Sequence, residues 1–309
     1  MKNIKDAVWG FIVGDALGVP YEFSTRNMMK DNPAVDMIGF GTYNQPPGTW
    51  SDDTSMMLCV LENIINNGSS KDLAKLFVKW YKEDYMTPHG ELFDIGITTS
   101  TSIQKLLIGV KPHLAGGNDE YASGNGSLMR CLPYAFVEDI SKSIFKMAAE
   151  SKITHRNTIC LYCSIFYIKV MRSILEGNNK ETAFQHAVAF LQYGWRIADS
   201  DNAQNQEKLS RLLNPSFYHL PESDIHSNGY VLSTIEATVW CFLNTENYKE
   251  AVLKAVNLGG DTDTIAALTG GLAGLYYGKE SIPEDWIKKI ASHDIINNLI
   301  ADIDSKFIN

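Results

Sequence analysis

The sequence predicts an all-α fold, and three observations carry that expectation. Apolar residues recur at spacings of three and four through most of the chain, as amphipathic helices require. No segment alternates apolar and polar residues convincingly enough for a strand. No self-similarity appears at a period of about 20–50 residues, so a solenoid is not expected. The 309 residues, 45% of them hydrophobic, are enough for one large core, and one compact domain over residues 1–309 is expected.

Taken in order, residues 3–18 place Ile4, Val8, Phe11, Ile12 and Ala16 at helical spacing, carry Asp15, and stop near Gly18 with Pro20 beyond. Tyr21-Glu22-Phe23 opens a long loop that ends at Pro46-Pro47-Gly48-Thr49-Trp50. Ser51 is a good N-cap, and Asp52 and Asp53 fall in a first turn, where the helix dipole favours negative charge. Met56, Met57, Val60, Leu61, Ile64 and Ile65 then form an apolar face. A helix over 71–83 would turn Leu73, Leu76, Phe77 and Trp80 inward. From Met86 to Gly126 the pattern breaks, leaving a short helix over 94–107 between loops. Ser123-Gly124-Asn125-Gly126-Ser127 then leads into a helix expected from Leu128. Further helices are expected at 139–150, 157–175, 180–195, 230–242, 248–257, 262–277, 284–292 and 295–307. The polar stretch 199–228, with Pro215 and Pro221, reads as a surface loop or insertion.

Composition excludes several functions. Net charge is −9 with no block of Lys and Arg, so nucleic-acid binding is not expected. The acidic balance suits a cationic cofactor, although a surface excess of Asp and Glu produces it too. The N-terminus, Met1-Lys2-Asn3-Ile4-Lys5-Asp6, lacks the apolar block of a signal peptide. No apolar run is read as reaching the ~18 residues of a membrane span, so no membrane partner is expected. Five scattered cysteines argue against a disulfide framework and for a reducing cytoplasm. Cys160 and Cys163 lie one turn apart in an apolar run and read as core thiols rather than part of a zinc or redox site.

Chemistry concentrates in two acidic stretches far apart in the chain, Ser51-Asp52-Asp53-Thr54 and Gly259-Gly260-Asp261-Thr262-Asp263-Thr264. Each follows a Gly-containing loop and opens an apolar helix. Neighbouring carboxylates cannot converge in mid-helix but can do so at a loop-to-helix junction. The donors are all oxygen, which selects Mg²⁺, Mn²⁺ or Ca²⁺ over zinc or copper. Each stretch alone also reads as N-capping chemistry. Unaided, Gly124-Asn125-Gly126-Ser127 is a glycine turn before a helix, His155 a structural histidine, Tyr230 a core aromatic and Asp94 a helix cap.

The ordered set of stretches is more specific than any one of them. Gly10 to Phe23, Thr49 to Thr54, Phe93 to Gly96, Ser123 to Arg130, Thr154-His155, Gly229 to Val231 and Leu258 to Gly278 together resemble the ADP-ribosylglycohydrolase family. That family includes the dinitrogenase reductase-activating glycohydrolase and the ADP-ribosyl-acceptor hydrolases. The resemblance spans nearly the whole chain and implies a single orthogonal all-α domain with a centre of two divalent cations, Mg²⁺ or Mn²⁺. It implies that Ser51, Asp52, Asp53 and Asp263 hold one cation. Asp261, Asp263 and Thr264, with Glu22, would hold the other, Asp263 bridging. Ser51 stands where some members have Thr, and both offer a hydroxyl. Glu22, Asp52, Asp53, Asp261 and Asp263 together would carry five negative charges, so without metal some of their pKa values are expected to rise.

The resemblance further implies a diphosphate cradle at Asn125, Gly126, Ser127, Leu128 and Met129, and ADP-ribose contacts at His155 and Tyr230. Glu22 and Asp94 are the candidates for proton transfer, and Asp15 is expected to orient loops or ligands. The implied reaction is hydrolysis of the bond between ADP-ribose and a modified protein side chain. Arginine is favoured, because the Asp94 segment and Tyr230 resemble the dinitrogenase reductase branch. The alternatives are serine-linked or small-molecule ADP-ribose conjugates, and a non-catalytic ADP-ribose binder. Oligomeric state is left open.

Overall fold

The computed structural model describes residues 3–197 and 203–307. The first half of the chain forms α1 (Ile4–Gly18), α2 (Arg26–Asp31), α3 (Asp52–Ile65), α4 (Ser70–Glu83), α5 (Ile97–Leu107), α6 (Pro112–Ala115) and α7 (Ile140–Ser151). The second half forms α8 (Thr158–Leu175), α9 (Lys180–Ile197), α10 (Ala203–Leu209), α11 (Val231–Leu243), α12 (Tyr248–Asn257), α13 (Thr262–Tyr277), α14 (Glu284–Lys289) and α15 (His293–Phe307). Among the described residues β-structure is limited to isolated bridges, Phe40–Gln45, Gly117–His155 and Gly124–Tyr230. The fold is all-α, as the helical spacing predicts.

Local chemistry sets the helix starts. Asn3 with Asp6 and Ser69 with Asp72 form reciprocal capping boxes on α1 and α4. The Ser51 hydroxyl accepts from the Asp53 amide and caps α3. Asp139, Asn157 and Asn247 cap α7, α8 and α12.

The centre of the molecule is the antiparallel pair α1 and α13, which α12, α11 and α8 pack against. Its helices approach closely because small residues face each other. A Cβ at Gly10 would lie 2.2 Å from the Gly270 carbonyl oxygen, and one at Gly14 would lie 2.1 Å from that of Ala266. At the end of the seam, Gly18 meets Asp263, so the pairing delivers the start of α13 to the end of α1. Trp50, Trp80, Trp286, Tyr167 and Tyr248 fill the surrounding core.

Several expectations are corrected. The long loop after Glu22 contains α2, capped by Thr25. The helix expected from Asp94 begins at Ile97 with Gly96 as N-cap, because Asp94 has φ +52°, a left-handed conformation that no α-helix accepts. Asp94 is therefore not a cap. No α-helix follows Ser127. A series of turns leads into a 3₁₀ helix, Leu132–Phe136, where Pro133 lacks the N–H that an α-ladder needs. The stretch 199–228 carries α10 and two 3₁₀ turns, and Leu209, Leu212, Leu213, Phe217 and Ile225 anchor it in the core; 199–202 lie outside the described residues. The last two helices are Glu284–Lys289 and His293–Phe307 rather than 284–292 and 295–307.

One apolar run does reach the length of a membrane span. α8 has 18 residues and the composition of one, but 67% of it is buried inside the protein, as befits a core helix. Cys160 and Cys163 lie on it, both buried.

Candidate active site

Three helix starts and several loop segments meet at one cavity of about 570 Å³. Its walls include Glu22, Asp52, Asp53, Asp94, Asp261, Asp263 and Thr264 on one side and Gly124, Asn125, Gly126, Met129 and His155 on the other. The two acidic stretches, some 200 residues apart in sequence, are thus brought together. Thr264 Oγ1 donates to Asp53 Oδ1 across them at 3.3 Å.

Asp15 explains how α3 is held. Its fully buried carboxylate accepts from the Ser51 amide at 3.0 and 3.1 Å, from the Thr54 amide at 3.1 Å and from the Thr54 hydroxyl at 2.5 Å. Donors that a free helix start leaves unsatisfied are met from α1. Ser51, the N-cap, is buried behind the cavity wall. Gly259 and Gly260 both have positive φ, +71° and +79°, which bends the chain into α13 so that Asp261 and Asp263 converge.

Carboxylate oxygens cluster in two overlapping sets. Asp15, Asp53 and Asp263 each bring one oxygen within 4.8 Å of the others, and so do Glu22, Asp261 and Asp263. Asp263 belongs to both. Asp52 lines the cavity but joins neither set. Among the described residues, Glu22 Oε2 and Asp53 Oδ2 are buried without a hydrogen-bond partner. Buried polar atoms are ordinarily satisfied, so these two mark a place for a ligand that accepts anionic oxygen. All donors are oxygen, with no His or Cys in either set, and this chemistry fits hard divalent cations such as Mg²⁺ or Mn²⁺.

The electrostatics agree with that fit. Burial, reinforced by neighbouring carboxylates, holds Asp52, Asp53 and Asp263 well above the usual carboxylate range. Burial also raises Asp261, against hydrogen bonds from Asp263, Thr264 and Asn125. Glu22 is pushed up to about 8 by burial and by Asp94, and Asp94 to about 6 by burial. Such a cluster stays ionised only beside compensating positive charge.

The opposite wall is a backbone turn. The amides of Leu128 and Met129 donate to the Asn125 carbonyl at 2.7 and 3.0 Å and are therefore committed within the turn. Among the described residues, the Gly126 and Ser127 amides have no backbone acceptor, so the anion-binding capacity expected of the whole stretch narrows to those two. Met129 lines the cavity; Ser127 and Leu128 are buried outside its lining. The Asn125 side chain donates to Asp261 and to Thr234 Oγ1, tying this turn to the acidic wall. His155 lies beneath it, and a Cβ at Gly126 would come 2.6 Å from its Cε1. Burial and the Arg130 charge push His155 down to about 3, so the ring is neutral, with Nδ1 2.8 Å from Thr154 Oγ1. Tyr230 pairs with Gly124 in an antiparallel bridge beside the cavity, and its side chain does not line it.

Sequence reasoning missed two residues. Arg130, buried, donates to the Gly126 carbonyl at 2.5 Å and so fixes the turn from behind. It closes the Ser123 to Arg130 stretch, and its place there was the signal that could have found it. Tyr43 sits in the loop after Glu22, its ring 5.3 Å from that of Phe93, the neighbour of Asp94, and burial with the nearby Asp94 and Glu22 carboxyls raises its phenol. A lone loop tyrosine carries no spacing signal that would have found it.

Helices converging on an oxygen-rich cleft define the class. The ADP-ribosylglycohydrolase family model matches residues 1–308, and the chain belongs to that family. It is 31% identical to the ADP-ribosylarginine hydrolase Tri1 of Serratia proteamaculans, over 97% of this chain and 78% of that one. It is 25% identical to the ADP-ribosyl-[dinitrogen reductase] glycohydrolase of Rhodospirillum rubrum, over 92% of this chain and 88% of that one. Among solved structures it resembles an ADP-ribosylglycohydrolase-related protein complex, with TM-score 0.79, 29% identity and 98% of each chain covered.

Proposed function

We propose that this chain is a metal-dependent hydrolase that releases ADP-ribose from a modified protein side chain, arginine before serine or a small conjugate. The reading rests on one observation above the rest. A cleft joins carboxylate oxygens of Glu22 and Asp53 that lack a hydrogen-bond partner among the described residues to a glycine turn whose Gly126 and Ser127 amides have no backbone acceptor there. A relative named as an ADP-ribosylarginine hydrolase supports the arginine linkage. The whole chain, 1–309, would act as one domain. A reducing, cytoplasmic setting is part of the proposal and is consistent with five buried free thiols.

In this reading Asp53, Asp263, Asp261 and Glu22, with Ser51, Asp52 and Thr264 close by, would hold two divalent cations. Such ions, when bound, supply Lewis-acid charge for the sugar hydroxyls and an acidified water. The protein's own groups do the rest. The Gly126 and Ser127 amides would receive the diphosphate oxygens, with His155, neutral, beneath the turn. Asp94 lies outside both oxygen sets, whereas Glu22 belongs to one, so Asp94 is assigned the proton work. Hydrolysis breaks the bond between C1″ and the side-chain nitrogen. Water gives its oxygen and one hydrogen to C1″ and its other proton to Asp94, which passes that proton on to the leaving nitrogen. The surrounding carboxylates would stabilise the positive charge that builds at C1″.

The test is ADP-ribose release from ADP-ribosyl-arginine with Mn²⁺ or Mg²⁺ and with a chelator. Release that the chelator abolishes is expected. Release from serine-linked conjugates alone would move the acceptor. ADP-ribose binding without release from any conjugate would make the protein a binder.

A further inference from the structure

Three stretches remote in sequence meet beside the cavity: the segment after Glu22, residues 222–228, and the bend at Gly259-Gly260. Their backbones are bonded to one another. The Phe23 amide donates to the Gly260 carbonyl at 2.7 Å, and the Gly260 amide donates to the Ser24 carbonyl at 2.8 Å. The Asp261 amide donates to the Ser227 carbonyl at 2.8 Å. The approach is close on both sides of the bend. A Cβ at Gly259 would lie 2.6 Å from the Ser24 carbonyl oxygen, and one at Gly260 would lie 2.1 Å from that of Ser227.

Arg26 closes this junction. Its Nε donates to the Leu258 carbonyl at 3.0 Å and its Nη1 to the Glu222 carbonyl at 2.8 Å. Its Nη2 donates to the Ile225 carbonyl at 2.7 Å and to the Ser227 hydroxyl at 3.2 Å. That hydroxyl donates in turn to the Leu258 carbonyl at 3.2 Å. One guanidinium therefore spans all three stretches, with a planar fork of donors that no other side chain offers.

The clasp matters for the acidic wall. Glu22 follows the 3₁₀ turn Val19–Tyr21 and precedes α2, whereas Asp261 is the N-cap residue of α13, so no shared helix fixes the distance between them. Yet Glu22, Asp261 and Asp263 bring their oxygens within 4.8 Å of one another. Arg26 lies four residues after Glu22, and its Leu258 acceptor lies three before Asp261. Groups that orient metal-facing carboxylates matter nearly as much as the ligands themselves.

We propose that Arg26 is a positioning residue that sets the spacing of Glu22 from Asp261 and Asp263, and with it the cation affinity of that oxygen set rather than of the Asp15, Asp53 and Asp263 set. This rests on the cation-holding part of the reading above and not on the hydrolysis.

The test is calorimetric titration of the full chain with Mn²⁺, far below its melting midpoint. Wild-type protein should take up two equivalents. Arg26→Met keeps the stem and removes the fork. It should bind one equivalent roughly tenfold more weakly and the other within about twofold of wild type. Arg172→Met is the matched control. Arg172 also donates to three carbonyls, those of Ala135, Val137 and Glu138, and none of these residues lines the cavity. Both variants should lower the midpoint of chelator-treated protein by a similar amount, roughly 3–10 °C, but only Arg26→Met should shift the Mn²⁺ titration. Should Arg26→Met fail to fold, Arg26→Lys keeps the charge without the fork and should weaken the same equivalent by less.

Unchanged Mn²⁺ affinities in the Arg26 variants would overturn the proposal. So would equal weakening in Arg172→Met, which would make Arg26 structural only, or equal weakening of both equivalents, which would remove the assignment to one oxygen set. Wild-type protein that binds fewer than two equivalents would overturn the two-cation reading and the proposal with it, before any variant is made. Wild-type protein that binds both but releases ADP-ribose from no conjugate would end the hydrolase reading alone, and the titration would still decide the role of Arg26.

Discussion

Gly14→Ala puts the central seam under direct test. The new methyl group would sit 2.1 Å from the Ala266 carbonyl oxygen and 2.7 Å from its carbon, where ordinary contact begins near 3.4 Å. Both obstacles are backbone, so no side chain can swing aside, and α1 and α13 must part by roughly 1 Å. Overpacking of this kind costs about 1–3 kcal/mol, and a backbone clash belongs at the upper end. Alanine recovers about 1 kcal/mol of helix propensity. The clash wins, and a net loss of about 2 kcal/mol is expected from urea denaturation in chelator. Gly194 supplies the control. It lies in α9, exposed, and a methyl group added there would meet nothing within 4 Å, so Gly194→Ala should be neutral or stabilising by up to about 1 kcal/mol. The seam also carries Asp15 and Asp263 at one end, so Gly14→Ala should weaken the Mn²⁺-induced thermal shift as well. A Gly14→Ala protein as stable as wild type would refute the reasoning that close helix approach builds the site.

Asp263→Asn should lower Mn²⁺ affinity and turnover together, because Asp263 is common to both oxygen sets; normal values of both would sink its bridging role. Arg130→Leu should cost about 3 kcal/mol, since Arg130 is buried and its loss leaves the Gly126 carbonyl untethered. ADP-ribose affinity, read by calorimetry, should fall with it. Glu236, away from the acidic centre, gives a pH test. Burial, opposed by Arg211 at 3.3 Å, pushes it up to about 7 from 4.5. Its folded form binds the proton more tightly, so its stabilisation is complete below the unfolded pKa and is lost as pH rises through about 7, a change of roughly 3 kcal/mol. Glu236→Gln should remove most of that slope between pH 5 and pH 8; an unaltered slope in urea denaturation would count against it.

What was legible in the sequence follows from which physics is local. Helical periodicity is local, so α1, α3, α4, α8 and α13 fall close to where their apolar spacing puts them. The acidic stretches were legible for a related reason. Carboxylates that must converge have to sit at loop-to-helix junctions, and junctions carry short signatures such as Ser51-Asp52-Asp53 and Gly259-Gly260-Asp261. The Leu128 expectation failed because Pro133 and the Arg130 tether act on a turn whose outcome depends on partners elsewhere. The stretch 199–228 was misjudged because irregularly spaced anchors such as Leu213 and Phe217 obey no period.

Tyr43 marks the deeper boundary. Nothing in Gly41-Thr42-Tyr43-Asn44 distinguishes it from a surface turn, and its place is set by Phe93 against the ring and by the Glu22 carbonyl that accepts from Thr42. Motif-bearing residues hold the groups that react, and their spacing is constrained by the helix that carries them. Residues that aim those groups need only reach them, and any loop of sufficient length can supply one. The carboxylates of this site could therefore be read from the chain, whereas the tyrosine packed beside the Asp94 segment could be found only after the chain was folded.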